Sequence, residues 1–154
     1  MHSMKLGWEL EGWQAYKGFI IRFGELPQTL NLRFEFDKTN LNAFFWGIAK
    51  NNKNFNDPHV WDEVNKLMSS SFGSAKGSDY WPWYSVLPDH EFAAAMENWQ
   101  ISEEPWISIM NKNQDDNLAA KITNLALRVR ELFKDRLHLL HERNSSNYAE
   151  IAPR

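Results

Sequence analysis

The sequence predicts an α+β domain in which an antiparallel sheet of three or more strands is packed by helices. Two patterns carry this prediction. From residue 30 to residue 36, leucine and phenylalanine alternate with polar residues, which is typical of a half-buried strand. From residue 118 to residue 140, apolar residues recur every three or four positions without glycine or proline, which indicates a long C-terminal helix.

Three strands are predicted before residue 50. The first lies within 13–23, where Phe19 and Ile21 should share one face. A short link that contains Pro27 joins it to the alternating strand as an antiparallel neighbour. After the turn formers that follow, residues 43–49 are apolar and rich in aromatics, as in a strand covered on both faces. We therefore expect an antiparallel meander.

The register of this meander follows from its pattern. We expect Phe34 and Phe36 to face the core together with apolar residues of the first strand. A slip of one residue would bury Arg33 and Glu35 instead.

Helices are predicted in the second half of the chain. Asp57 and Pro58 mark a helix start, and this helix should run to about Met68. A mobile, glycine- and serine-rich break at 69–78 and an extended aromatic stretch at 79–88 follow. Three further helices are expected: a segment within 89–99, a short helix capped by Ser102, and a long helix over 116–142.

Length and composition restrict the class of protein. The 154 residues fit a single domain over 1–143, with a loose tail at 144–154. The chain has no cysteine, which excludes disulfides, zinc-thiolate sites and thiol nucleophiles. A net charge of -3 argues against a protein that binds nucleic acid or a membrane with its whole surface, although a local basic patch is compatible with it. Without a long apolar run or a signal-type N-terminus, we expect a cytoplasmic protein that does not enter membranes.

Familiar catalytic motifs are absent from the sequence. No lysine has an acidic residue two positions before it, and no phosphate-cradling loop or Gly-x-Ser-x-Gly elbow occurs. On the last helix, Glu131, Asp135, His138 and Glu142 share a stripe that could hold a metal ion if another element added a ligand. A solvated face with neighbouring counter-charges explains the stripe better, so we predict no metal and no cofactor.

Two groups of residues are candidate binding sites. Charges on the open face of the sheet could hold an anion or a phosphate, although cross-strand pairing explains them about as well; they are Arg22, Arg33 and Glu35. Aromatic side chains around Pro82 could stack on bases or sugars, or could fill an edge of the core; they are Tyr80, Trp81, Trp83 and Tyr84. We expect whichever tryptophan faces the sheet to be core and the other to be the contact.

The order of these features resembles a known family. The resemblance rests on Gly12, Trp13 and Gly18 before FIIRF, on Phe34–Phe36, on Phe45–Ile48, on the stretch SDYWPWY and on Trp99. In this order they are similar to the aromatic-rich, non-catalytic C-terminal module of bacterial PD-(D/E)XK nuclease superfamily proteins. The resemblance covers about residues 13–133 and implies a nuclease-associated accessory module. The catalytic residues of that family have no matching positions here, so the resemblance does not imply its activity.

The sequence as a whole favours a non-enzymatic binding or interaction domain whose partner is a protein or a nucleic acid. An enzyme of unassigned class that uses Arg33, Glu35 or the Asp135/His138 stripe is one alternative. A structural domain that forms homodimers through its last helix is another.

Overall fold

The fold is an antiparallel sheet with helices on one face. A computed structural model describes residues 6–7, 18–24, 26, 28–38, 41–51, 55–75, 77–87 and 89–136. Within these ranges five antiparallel strands follow one another across the sheet in chain order: β1 (Leu6–Gly7), β2 (Gly18–Ile21), β3 (Leu30–Lys38), β4 (Asn42–Lys50) and β5 (Trp83–Val86). The predicted α+β class, the antiparallel sheet and the long last helix are confirmed.

The strand register places the large apolar side chains on one face. Phe34 of β3 lies between Phe19 of β2 and Trp46 of β4, and its ring stacks on that of Phe19 with centroids 4.9 Å apart. Phe36 pairs with Phe44 across the same two strands, and their tilted rings have centroids 4.5 Å apart. The predicted register is therefore confirmed, and this face forms the core.

The first helix, α1, spans Pro58–Phe72. Its N-cap is Asp57, whose Oδ1 accepts hydrogen bonds from the backbone N–H groups of His59 and Val60. The helix runs four residues beyond the predicted end at Met68, so the prediction of a break beginning at residue 69 is wrong. Serine hydroxyls in this last turn bond back into the helix, at Asn65 Oδ1 and at the Leu67 carbonyl, so the serines do not end it.

Three further α-helices lie in the remaining described residues: α2 (Asp89–Phe92), which continues into a 3₁₀ turn (Ala93–Met96), α3 (Glu104–Met110) and α4 (Leu118–Lys134). The α4 helix begins after Asn117, whose Oδ1 caps the Ala120 N–H. The helix ends at Lys134 and is followed by a turn at Asp135 and Arg136, so the prediction that it runs on unbroken to residue 142 is wrong. Residues 137–142 and the predicted tail at 144–154 lie outside the described residues. Among the described helices, none is long and apolar enough to cross a membrane.

Helices α1 and α4 cover the aromatic face of the sheet. Each contributes one buried apolar stripe to the core: Val60, Val64, Leu67 and Met68 from α1, and Leu118, Ile122, Leu125, Ala126, Val129 and Phe133 from α4. The 3₁₀ turn and α3 pack beside them near the end of β4 that carries Phe44. The sheet and these two helices are thus the scaffold on which α3 and the loops are held.

Candidate interaction surfaces

Arg33 and Glu35 lie on the sheet face opposite the core. The Arg33 Nε is 2.6 Å from Glu35 Oε2, and the side chains of both residues are close to nine-tenths buried. Arg33 also donates a hydrogen bond of 3.3 Å to the Tyr80 hydroxyl. In the register Gly47 lies between Arg33 and Tyr84, and Ile20 is the neighbour of Arg33 on the other side. This guanidinium is engaged within the protein, but its carboxylate partner lies on the same strand and not across the sheet as the cross-strand explanation expects.

Two cations lie close to the Tyr80 ring. The guanidinium carbon of Arg33 is 5.8 Å from the ring centroid, and the Lys50 ammonium is 6.0 Å from it. Both separations are within the range of cation–π attraction. The ring is thereby held at the border of the sheet.

Tyr80 is the first of four neighbouring aromatic rings that we call the aromatic row: Tyr80, Trp81, Tyr84 and Phe45. Neighbouring centroids are 5.9 to 6.3 Å apart, and all four residues are half-buried. The loop that carries the first two rings is fixed to α1, because Asn65 Nδ2 donates to the Pro82 carbonyl at 2.8 Å. The row is therefore a partly accessible aromatic strip on a fixed backbone.

The other two predicted site residues lie elsewhere. Trp83 is fully buried on the core face, where it packs edge-on against Trp46 and donates to the Gly73 carbonyl at 3.1 Å. Pro82 redirects the chain between the tryptophans, so Trp81 remains at the surface. Arg22 follows β2 and is exposed. The structure thus brings together Arg33, Glu35 and Tyr80, with Trp81 and Tyr84 beside them.

A second surface, which the sequence interpretation missed, is formed by α3. This helix turns Pro105 and Ser108 inward, and the Ser108 hydroxyl donates to the Asp116 carbonyl at 3.0 Å. At about 100° per residue, its four large apolar residues fall within an arc of roughly 160° on the opposite side. The helix therefore presents its apolar face to solvent and its serine to the protein, the reverse of an ordinary amphipathic helix.

We call these exposed side chains, together with one from the preceding turn, the α3 surface: Ile101, Trp106, Ile107, Ile109 and Met110. Their exposed fractions range from 38 % to 83 %. Single exposed apolar residues are ordinary, but several within ten residues of chain are typical of an interaction site.

The position of α3 is fixed by hydrogen bonds at both ends. Trp106 Nε1 donates to the Trp99 carbonyl at 2.9 Å, and Trp99 packs edge-on against the core ring Phe36 at 5.2 Å. At the other end, Asn117 Nδ2 donates at 2.8 Å to the carbonyls of Ile109 and Asn111. The apolar face is therefore preorganised.

Beside the α3 surface is an open cleft of about 430 Å³, which we call the acidic cleft. The described residues that line it come from α2, the 3₁₀ turn, α3, α4 and the segments that adjoin them: Glu91, Ala93, Ala94, Glu97, Glu104, Ile107, Ser108, Asn111, Asp116 and Lys121. Four of these side chains are carboxylates, and one is an ammonium. Ile107 belongs to both the cleft and the α3 surface, so the two features are continuous.

Neither surface has the geometry of a metal centre. In the part of the chain that is described, no three His, Asp or Glu side chains are grouped so that they could hold a metal ion. Glu131 pairs with Lys134 at 3.3 Å, while His138 and Glu142 of the predicted stripe lie outside the described residues.

Comparisons with known proteins identify no relative. No protein family, curated protein or solved structure matches the chain. The resemblance to a nuclease-associated module therefore stays a prediction from the residues quoted for it.

Proposed function

We propose that this chain is a non-enzymatic interaction domain whose α3 surface binds a partner protein. The exposed apolar face of α3 is the observation that carries the proposal. Burial of apolar side chains from water stabilises association, and Trp106 and Met110 belong to residue types that are enriched in protein interfaces. A fixed helix also loses little conformational freedom on binding, which favours affinity.

The sheet face and the α3 surface differ in whether their side chains already have partners within the protein. On the sheet face, Arg33 already has a carboxylate and a hydroxyl as partners. On α3, the large apolar side chains remain in water. This contrast favours α3 as the place where an association gains most.

Co-purification with a matched pair of variants tests the proposal. The tagged protein, Ile107→Ser and Leu127→Ser are each used to capture proteins from native lysate. Ile107 and Leu127 are exposed to similar extents, 49 % and 44 %, but only Ile107 lies on α3. A captured protein should be identified, purified and titrated against all three.

We expect the parent and Leu127→Ser to bind such a partner alike, and Ile107→Ser to bind it at least about tenfold more weakly, as for a central interface residue. Partners that bind Ile107→Ser and the parent equally well would contradict the proposal. Circular dichroism melting curves show whether each variant is folded.

Binding of single-stranded nucleic acid is a second candidate function, favoured by the aromatic row beside Arg33 and Lys50. Aromatic rings can stack on bases while nearby cations attract the backbone. Trp81→Ala should then remove about 1 to 3 kcal/mol of affinity for an oligothymidine, whereas Trp106→Ala, the control on α3, should leave it unchanged. Equal affinities for the parent and both variants would exclude this function.

A further inference from the structure

We infer that the partner segment bound at the α3 surface is basic and amphipathic, with apolar side chains on one side and lysine or arginine on the other. This inference rests on the proposed function and specifies the chemistry of the partner. Its evidence is the continuity of the α3 surface with the acidic cleft through Ile107.

The charges that line the acidic cleft determine the sign of the charge that the partner must carry. The lining residues include four carboxylates and a single ammonium; one carboxylate, Glu91, pairs with Arg128, and two others, Glu97 and Glu104, are exposed residues. Glu104 is also the first residue of α3, so it lies at the border between the carboxylates and the apolar face. A segment that covers the apolar face thus brings its adjacent side chains into the cleft, where cations are favoured and anions are repelled.

The spacing of the carboxylates favours a chain over a single small cation. They come from four segments around an open cleft and do not converge on one point. Lysine and arginine have long apolar stems with charged ends, so they can lie along Ile107 while their cations reach separate carboxylates. An amphipathic segment supplies such side chains at regular intervals.

A second copy of the chain fits this surface less well. The two exposed cations of α4 that could serve the cleft of a second copy already have partners in their own molecule. Arg128 is 3.9 Å from Glu91 and lies over the Phe72 ring at 5.0 Å, and Lys134 pairs with Glu131. We therefore infer that the basic segment belongs to another protein.

The test uses the full chain and a fluorescent synthetic peptide of about 16 residues in which leucine and lysine form an amphipathic helix. Two control peptides separate the contributions: one replaces lysine by glutamate, and one scrambles the leucine–lysine order. Two double variants are compared by fluorescence anisotropy. The cleft double variant, Glu97→Gln with Glu104→Gln, removes two negative charges from the acidic cleft. The control double variant, Glu63→Gln with Glu131→Gln, removes two negative charges at residues that do not line the cleft.

We expect the leucine–lysine peptide to bind the parent and the control double variant alike, within about twofold. The cleft double variant should bind it about tenfold more weakly, which corresponds to the loss of two favourable charge contacts. Binding should weaken as salt is raised, because these contacts are at the surface. The glutamate peptide and the scrambled peptide should bind more weakly than the leucine–lysine peptide.

Several results would overturn the inference. No binding of the leucine–lysine peptide, equal losses in the two double variants, or equal binding of the glutamate peptide would each do so. Sedimentation that shows a dimer dissociated by the cleft double variant would replace the basic partner with a second copy.

The proposed function and this inference are contradicted by different results. If Ile107→Ser weakens the binding of a captured protein while the cleft double variant does not, the α3 surface binds a partner and the inference of a basic segment is wrong. If neither change affects any partner, the proposed function fails as well.

Discussion

Two buried tryptophans on neighbouring strands provide a matched pair for testing the energetics of the core. Trp46 and Trp83 are at most 1 % exposed, and their rings meet edge-on at 5.0 Å. They differ in one respect. Trp83 Nε1 donates to the Gly73 carbonyl, whereas Trp46 Nε1 is buried and has no hydrogen-bond partner in the described structure.

Replacing each tryptophan by phenylalanine removes the same apolar atoms and a different polar interaction. The loss of two ring carbons costs about 2 kcal/mol at either position. At Trp46 the change also removes an unsatisfied N–H group, which raises the free energy of unfolding by about 1 to 3 kcal/mol. At Trp83 it removes a made hydrogen bond, which costs about 1 kcal/mol more. Trp46→Phe should therefore be nearly neutral, and Trp83→Phe should destabilise the fold by about 3 kcal/mol.

Urea unfolding followed by far-UV circular dichroism measures this difference, because that signal does not depend on tryptophan fluorescence. The free energies of unfolding of the two variants should differ by about 2 to 4 kcal/mol, with Trp46→Phe the more stable. Equal losses, or a greater loss for Trp46→Phe, would refute the reasoning about the unpaired indole.

Three more substitutions test the sheet and its first helix. Phe34→Ala should lower the free energy of unfolding by about 3 to 5 kcal/mol, as truncations of buried phenylalanine do, and a shift in Tm no larger than that of a surface substitution would contradict the register. Gly47→Ala should cost about 1 to 3 kcal/mol of stability, because its Cβ would clash with the Trp83 carbonyl oxygen and lie 2.8 Å from Tyr84 Cα. In the control Gly24→Ala the added Cβ has nothing within 4 Å, so this change should cost no stability. Equal urea midpoints for the two variants would contradict this prediction. Asp57→Ala removes the N-cap of α1 and should cost about 1 kcal/mol, while an unchanged midpoint would mean that the cap contributes no stability.

The sheet could be predicted from the sequence because its signals are local. Alternation from Leu30 to Phe36 specifies both a strand and its buried face, since a one-residue slip would reverse the two faces. The end of α1 could not be predicted in the same way. Serines favour helix ends, but here the hydroxyls of Ser69 and Ser70 bond within the helix, which continues to Phe72 and ends at Gly73.

The two candidate surfaces also differ in how well they could be predicted from the sequence. The aromatic stretch is conspicuous in the sequence, yet only the fold separates the core residue Trp83 from the accessible Trp81. The α3 surface carried a signal that the sequence interpretation did not use. In the run EPWISIM four large apolar side chains share one side of a short helix, and the serine falls on the other. That they face outward depends on the inward hydrogen bond of Ser108, which is a tertiary contact.

Hydrogen exchange of the protein with and without a purified partner tests the central claim most directly. Slower exchange on binding should be concentrated in residues 104–110 and in the segments that line the acidic cleft, because these amides lose access to water there. Slower exchange at residues 80–84 with no change in α3 would contradict the account and assign binding to the aromatic row.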